Sequence, residues 1–385
     1  MEETRRRFPI GITDFKEIIE KNGFVDKSRF IAQIIENAGI KVSLITRPRR
    51  FGKTLMLSMV RRFFTIEDAE RNRKLFTGLE IETFGARYME RQGCSPVVSL
   101  TLKNIRKNSY EAFLRRLAKD MAKVFQRYAY LLESTELTDD DKQFFRSIKN
   151  GTMDEDDLQD SLVNLTEFLA KHHKKNPIVL IDEYDAPVIK AWKEQYYDKC
   201  IDFMREFYGS CLKDNDYLDF AILTGVTRIS RESIFSGLNN FKVFSVLHDT
   251  YSDIFGFTEK EILKIMKEYG VQNKFSELKD WYDGYKFGNT EIYNPWSILN
   301  YLEDHCTAQL YWVNTSGNSI LSTLLKNMDR SIRDDMEQLI RGKAISGYID
   351  ETLVYSEIET NEDALFSILV SAGYLNVINK TLLNQ

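Results

Sequence analysis

Short apolar runs alternate with stretches of helical periodicity along roughly the first 250 residues. Val42 to Ile45, Ser95-Pro-Val-Val-Ser-Leu-Thr-Leu, Ile178 to Ile181, Phe220 to Leu223 and Phe241 to Leu247 read as five strands. Runs with no polar interruption, such as Ile178 to Ile181 after Asn176-Pro177, fit strands covered on both faces in a parallel sheet. Between them the periodicity predicts helices over Phe15 to Lys21 (capped by Thr13 or Asp14), around Phe30 to Ile35 (capped by Asp26 or Ser28), and over Leu55 to Phe64, Tyr110 to Tyr130 and Leu158 to Lys171. Strand and helix in alternation predict an α/β fold, a parallel sheet with helices on both faces in three αβα layers. Right-handed crossovers bring the carboxyl ends of the strands to one edge, where a ligand crevice belongs.

Beyond about Tyr251 the alternation stops. Thr258-Glu-Lys-Glu261 has the form of a capping box opening a helix. Trp281 to Trp296 reads as a small aromatic hairpin, with Asn294 capping a helix that starts at Pro295. Helices are predicted over Ile320 to Lys326 and Ile332 to Arg341, then a mixed tail through Leu365 to Leu375. The expected division is an α/β domain over 1–250 and a mainly helical domain over 251–385, suited to close as a lid. The acidic stretch from Glu133 to Asp160 reads as solvated caps and loops, because no strand end or glycine turn frames a metal there.

Composition changes this picture little. The chain has 385 residues, 43% hydrophobic and 29% charged, with a net charge of −5, which argues against a dedicated nucleic-acid binder. A local basic face remains around Arg47, Arg49, Arg50, Lys53, Arg61 and Arg62. The four cysteines are widely spaced without a C-x-x-C pair, so neither a zinc site nor a disulfide framework is expected. With no spanning apolar run and no signal-like leader, the expectation is a reduced, cytoplasmic protein.

The chemistry concentrates at three strand ends. Val42 to Ile45 runs into Thr46-Arg-Pro-Arg-Arg-Phe-Gly-Lys-Thr and then a helix, the order of a phosphate-binding loop. In such a loop the amides of Arg49, Arg50, Phe51, Gly52, Lys53, Thr54 and Leu55 and the helix N-terminus face phosphate oxygens. Lys53 reaches the β- and γ-phosphates, and the Thr54 hydroxyl serves Mg²⁺. The generic pattern has glycine where this chain has Arg47. The second strand end, Ile181-Asp-Glu-Tyr-Asp, offers Asp182 for Mg²⁺ and Glu183 as the base that orients the attacking water. The third, Thr224-Gly-Val-Thr-Arg, offers Thr224 to sense the γ-phosphate. Arg228 and Arg231 are candidates to stabilise charge on the transferring phosphoryl group. Together they point to a P-loop NTPase.

Phe8-Pro-Ile-Gly-Ile-Thr-Asp-Phe, Val25-Asp-Lys, the Arg47 to Thr54 loop, Ile181-Asp-Glu-Tyr-Asp, Thr224-Gly-Val-Thr-Arg-Ile and Trp281-Tyr-Asp-Gly-Tyr-x-Phe resemble, in order, the prokaryotic AAA-ATPase-like family. The family's loop shares Arg47, so the resemblance implies a working ATP and Mg²⁺ site at Lys53, Thr54, Asp182 and Glu183. Relatives often carry a C-terminal PD-(D/E)XK nuclease-like domain. It would follow Gly373-Tyr-Leu, and the expectation is that these residues lack it. The pattern Asp253 with Glu277-Leu-Lys279 is discounted, since Glu277 lies in a helix-like stretch. The expected function is ATP hydrolysis that moves the lid or an effector partner. The alternative is a nucleotide-gated module with negligible turnover, acting on a nuclease or nucleic-acid partner. Oligomers are common in this architecture.

Overall fold

Five parallel strands form the centre of the molecule: β1 (Val42–Thr46), β2 (Val97–Thr101), β3 (Ile178–Asp182), β4 (Ala221–Gly225) and β5 (Phe241–Phe244), side by side in the order β2-β3-β4-β1-β5. The computed structural model describes residues 8–21, 23–228, 234–235, 241–311, 330–351 and 362–379. The three inner strands are buried at every residue, whereas β2 and β5 at the edges carry partly exposed positions. That difference follows from composition: uninterrupted apolar runs tolerate the double coverage of a central strand. Ile45 pairs with Thr224, and Thr224 with Asp182, so the strands end level with one another.

Alternate residues divide between two cores, as the strand period of two requires. Leu44, Val179, Ile181 and Leu223 face a layer built from α6 (Tyr110–Arg127), α7 (Asp139–Asn150), α8 (Glu155–His173), α9 (Ala186–Lys193) and α10 (Tyr197–Leu212). Ile45, Ile178, Leu180 and Ile222 face α1 (Phe15–Glu20), α2 (Arg29–Glu36) and α3 (Lys53–Phe64). Two short helices, α4 (Ala69–Lys74) and α5 (Ala86–Met89), lead from α3 to β2.

A third apolar cluster gathers α11 (Glu259–Tyr269), α12 (Phe275–Tyr282) and α13 (Pro295–Glu303), and it includes Phe8 from the start of the described chain. Thr258 and Glu261 form the capping box of α11, and the Asn294 side chain accepts from the Trp296 amide ahead of α13. Between α12 and α13 lies the hairpin of β6 (Tyr285–Phe287) and β7 (Thr290–Ile292). Its tip is held by Asp249, whose carboxylate accepts from the Asn289 amide at 2.7 Å. A Cβ on Gly288 would meet that carboxylate at 2.3 Å, so the approach requires glycine. Among the described residues no helix is long and apolar enough to cross a membrane.

Several elements differ from expectation. β4 extends to Gly225, which puts Thr224 inside the sheet. β5 stops at Phe244 because Ser245 enters a turn, its hydroxyl accepting from the Leu247 amide. The acidic stretch contains a 12-residue helix, α7, whose first-turn aspartates follow a Thr138/Asp141 capping box. Negative charge there suits the helix N-terminus. Helix α6 ends at Arg127 and gives way to a 3₁₀ turn. Ser28 does not cap α2 with its side chain; its hydroxyl accepts from the Ile81 amide. α9 and α10 were not anticipated. Helices Arg330–Ile340 and Glu362–Ser371 lie near two predicted segments, while the predicted helix Ile320 to Lys326 is outside the described residues.

Candidate functional site

The carboxyl edge of the sheet brings together residues far apart in sequence. β4 lies between β1 and β3, so Thr224 stands between the loop that follows β1 and the carboxylates that end β3. Asp182 is the centre. Its Oδ2 accepts from Thr54 Oγ1 and its Oδ1 from Thr224 Oγ1, both at 2.7 Å. Asp182 and Thr224 are buried, while Thr54 is exposed at the start of α3. A carboxylate flanked by two hydroxyls is a set of hard oxygen donors, the kind that suits Mg²⁺.

Lys53 is buried beside them, with Nζ donating to the Arg47 and Pro48 carbonyls at 2.8 Å. Burial pulls its ammonium pKa down to about 8, against the pull of Asp182, Asp185 and Glu183 in the other direction. Gly52, with φ at 82°, turns the chain into α3. The amides of the first helical turn, from Lys53, Thr54 and Leu55, are the orphan donors of a helix N-terminus.

Glu183 faces the other way. It sits at φ 53°, a left-handed conformation that costs a non-glycine residue about 1–2 kcal/mol. Its Oε2 accepts from Arg106 Nη2 at 2.8 Å, in the loop after β2. The two adjacent carboxylates thus bond to opposite neighbours, Asp182 towards β4 and β1, Glu183 towards β2. The sequence reading missed Arg106. No local pattern marks it, because it meets Glu183 across 77 positions.

Asp185 was also missed. It is buried, and its Oδ2 accepts from the Val226 and Thr227 amides at 2.9 and 3.0 Å and from the Thr227 hydroxyl at 3.1 Å. A Cβ on Gly225 would come within 2.6 Å of the Tyr184 ring, so the end of β4 is locked against the turn that follows β3. Its repeated hydrogen bonds give Asp185 a structural use. Arg228, half-buried, follows this lock on the same edge, and Arg231 is outside the described residues.

With this geometry in place, a family model described as "Predicted AAA-ATPase" matches residues 9–235. The chain belongs to that predicted AAA-ATPase family. An "Uncharacterized protein in vnfD 5'region" of Azotobacter chroococcum mcd 1 is 27% identical over 390 residues, covering 97% of this chain. The chain spans 64% of that relative's length. Lys53, Thr54, Asp182, Glu183, Thr224 and Arg228 all fall within the predicted AAA-ATPase segment; the third apolar cluster lies largely beyond it.

Three loop side chains of the predicted AAA-ATPase segment are committed to contacts within the protein. Arg47 is fully buried. Its Nη1 donates to the Thr46 and Phe244 carbonyls at 2.8 Å and its Nη2 to that of Tyr251 at 3.1 Å. The guanidinium also lies over the rings of Phe255 and Phe287, at 5.5 and 5.0 Å. Phe51 is buried between Tyr285 and Phe287, with ring centroids at 4.9 and 5.1 Å. Arg50 stacks on Trp296 at 4.1 Å. These side chains bind the loop to the segment after β5. Arg61 and Arg62 pair with Glu67 and Asp14, so the expected basic face is largely consumed within the protein. The discounted Asp253, Glu277 and Lys279 pair separately, with Arg29, Lys274 and Glu259.

Proposed function

We propose that this edge binds ATP with Mg²⁺ and hydrolyses it, and that residues 251–385 respond as a lid. The observation that carries the reading is the Thr54–Asp182–Thr224 bridge beside buried Lys53, drawn from three strand ends. The loop amides of Arg49, Arg50, Phe51, Gly52, Lys53, Thr54 and Leu55 bind the phosphates, with Lys53 supplying the charge. Thr54 and Asp182 hold Mg²⁺, which when bound neutralises charge on the phosphate oxygens. Glu183 orients a water and accepts its proton as that water attacks the γ-phosphorus. Thr224 reads the γ-phosphate through its hydroxyl, and Arg228 stabilises charge as the phosphoryl group departs.

The deciding experiment is calorimetric titration of Mg-ATP into the wild type and Lys53→Ala, with phosphate release followed in parallel. Submillimolar binding by the wild type, weakened at least about tenfold in the variant, is the expected result. Equal affinity in both proteins would remove the loop from nucleotide binding.

Lys53 also gives the site a pH dependence. With its folded pKa near 8, against an ordinary 10.5, the unfolded chain binds more protons between those values. Its own contribution to stability therefore rises with pH across that window. Nucleotide acts in the opposite sense: phosphate favours the charged ammonium, so binding above about pH 8 takes up a proton. The Kd for ATP is expected to rise with pH above 8, by at most about tenfold per pH unit. Proton uptake, read from the buffer dependence of the binding enthalpy, should be about half a proton at pH 8. Binding at pH 8 without proton uptake would contradict the role given to Lys53.

A second reading is favoured by one contact. Glu183 is engaged by Arg106 on the β2 side. In a nucleotide-gated module with negligible turnover, that pair persists while ATP is bound, and a partner or effector domain is what nucleotide occupancy controls.

A further inference from the structure

Within residues 47–53, Arg50 is the one non-glycine residue with a left-handed backbone, at φ 70°. An L-residue does not rest there unless something else holds it. We propose that Trp296 is a positioning residue for the nucleotide loop. Its indole lies 4.1 Å from the Arg50 guanidinium and, by holding that side chain, keeps the turned backbone that aims the following amides. The inference rests on the nucleotide reading above.

The indole is the fixed partner of the pair. Trp296 Nε1 donates to the Tyr311 carbonyl at 3.0 Å, and its amide to Asn294 Oδ1 at 2.9 Å. Helix α13 is itself seated in the third apolar cluster through Ile298, Tyr301 and Leu302. The guanidinium, on a long side chain, is the part that must be ordered. The next residue, Phe51, is wedged against the hairpin, so two consecutive loop residues are gripped by the segment after β5. Between two such grips the backbone has little freedom to relax from its left-handed turn. Because coupling of this kind is reciprocal, whatever shifts α13 alters nucleotide affinity, and nucleotide alters the position of α13.

The test uses four versions of the 385-residue chain, namely wild type, Trp296→Ala, Arg50→Gly and the double variant, with Trp296→Phe as a fifth protein for comparison. Glycine adopts the turned backbone without a steric penalty, so it removes the need for the indole. Trp296→Ala is expected to weaken Mg-ATP binding about tenfold and to change kcat by no more than about twofold. Trp296→Phe, which keeps an aromatic face, should retain most of the affinity. In the Arg50→Gly background the Trp296→Ala replacement should change the Kd by less than about twofold. An unchanged Kd in Trp296→Ala, or an equal loss in both backgrounds, would overturn the proposal. If the wild type does not bind ATP, the nucleotide reading fails, and thermal unfolding of the same four proteins decides the inference. A lower Tm for Trp296→Ala only when residue 50 is arginine upholds the coupling; an equal drop in both backgrounds removes it.

Discussion

Glu183→Gln should lower steady-state ATP turnover by about 10²–10³-fold and leave the Kd for Mg-ATP within about twofold. Glutamine keeps the size and the oxygen that meets Arg106 but cannot take a proton at neutral pH. The substitution therefore separates binding from chemistry. Unchanged turnover would exclude Glu183 as the base, whatever its position at the end of β3. Binding without turnover in both proteins would favour the gated module, with Arg106 keeping the carboxylate on the β2 side. Phosphate release under multiple-turnover conditions, with binding measured on the same preparations, distinguishes these outcomes.

Arg47→Ala is expected to reduce the free energy of unfolding by about 3–5 kcal/mol. The guanidinium is fully buried and satisfies the carbonyls of Thr46, Phe244 and Tyr251. Truncation removes a donor from each of those oxygens and opens a void between Phe255 and Phe287. Arg47→Lys should recover only part of the loss, since a single ammonium cannot reproduce a planar fork aimed at several carbonyls. Urea unfolding of the three proteins provides the measurement. A difference below about 0.5 kcal/mol for Arg47→Ala would mean that the buried charge contributes no net stability.

The two results bear on different layers of legibility. The strands, the Gly52-Lys53-Thr54 turn and the Asp182-Glu183 pair could be read in the sequence because each is local: an apolar run, a glycine before a helix, carboxylates where a strand ends. Even the meeting of Thr54 with Asp182 and Thr224 followed from topology, once parallel strands were expected to end on one edge. The destinations of side chains did not follow. Arg47 read as a departure from the generic loop and as part of a local basic face, yet its acceptor on β5 lies 197 positions away. Arg50, Phe51 and Arg106 share that difficulty, each being committed by a ring or carboxylate from a distant element. The helices after β3 escaped notice for a different reason. α10 buries Cys200, Phe203, Met204, Phe207 and Tyr208, with Ile201 beside them, at the i, i+3, i+4, i+7 and i+8 spacing of an amphipathic helix, so its signal was present in the sequence and was simply not used.

The strand order has a consequence for how the molecule comes into being. β1 hydrogen-bonds to no strand made before residue 221, since both of its neighbours, β4 and β5, are synthesised later. On the ribosome the Gly-Lys-Thr segment therefore emerges early and waits, its apolar strand unpaired, while some 170 further residues are added, on the order of ten seconds or more of elongation. The buried arginine waits longer still, until the carbonyl of Tyr251 is made. Closing such distant contacts last makes the sheet's centre a slow step in folding. During synthesis the exposed edge of β1 is thus the part of the nascent chain with most need of protection.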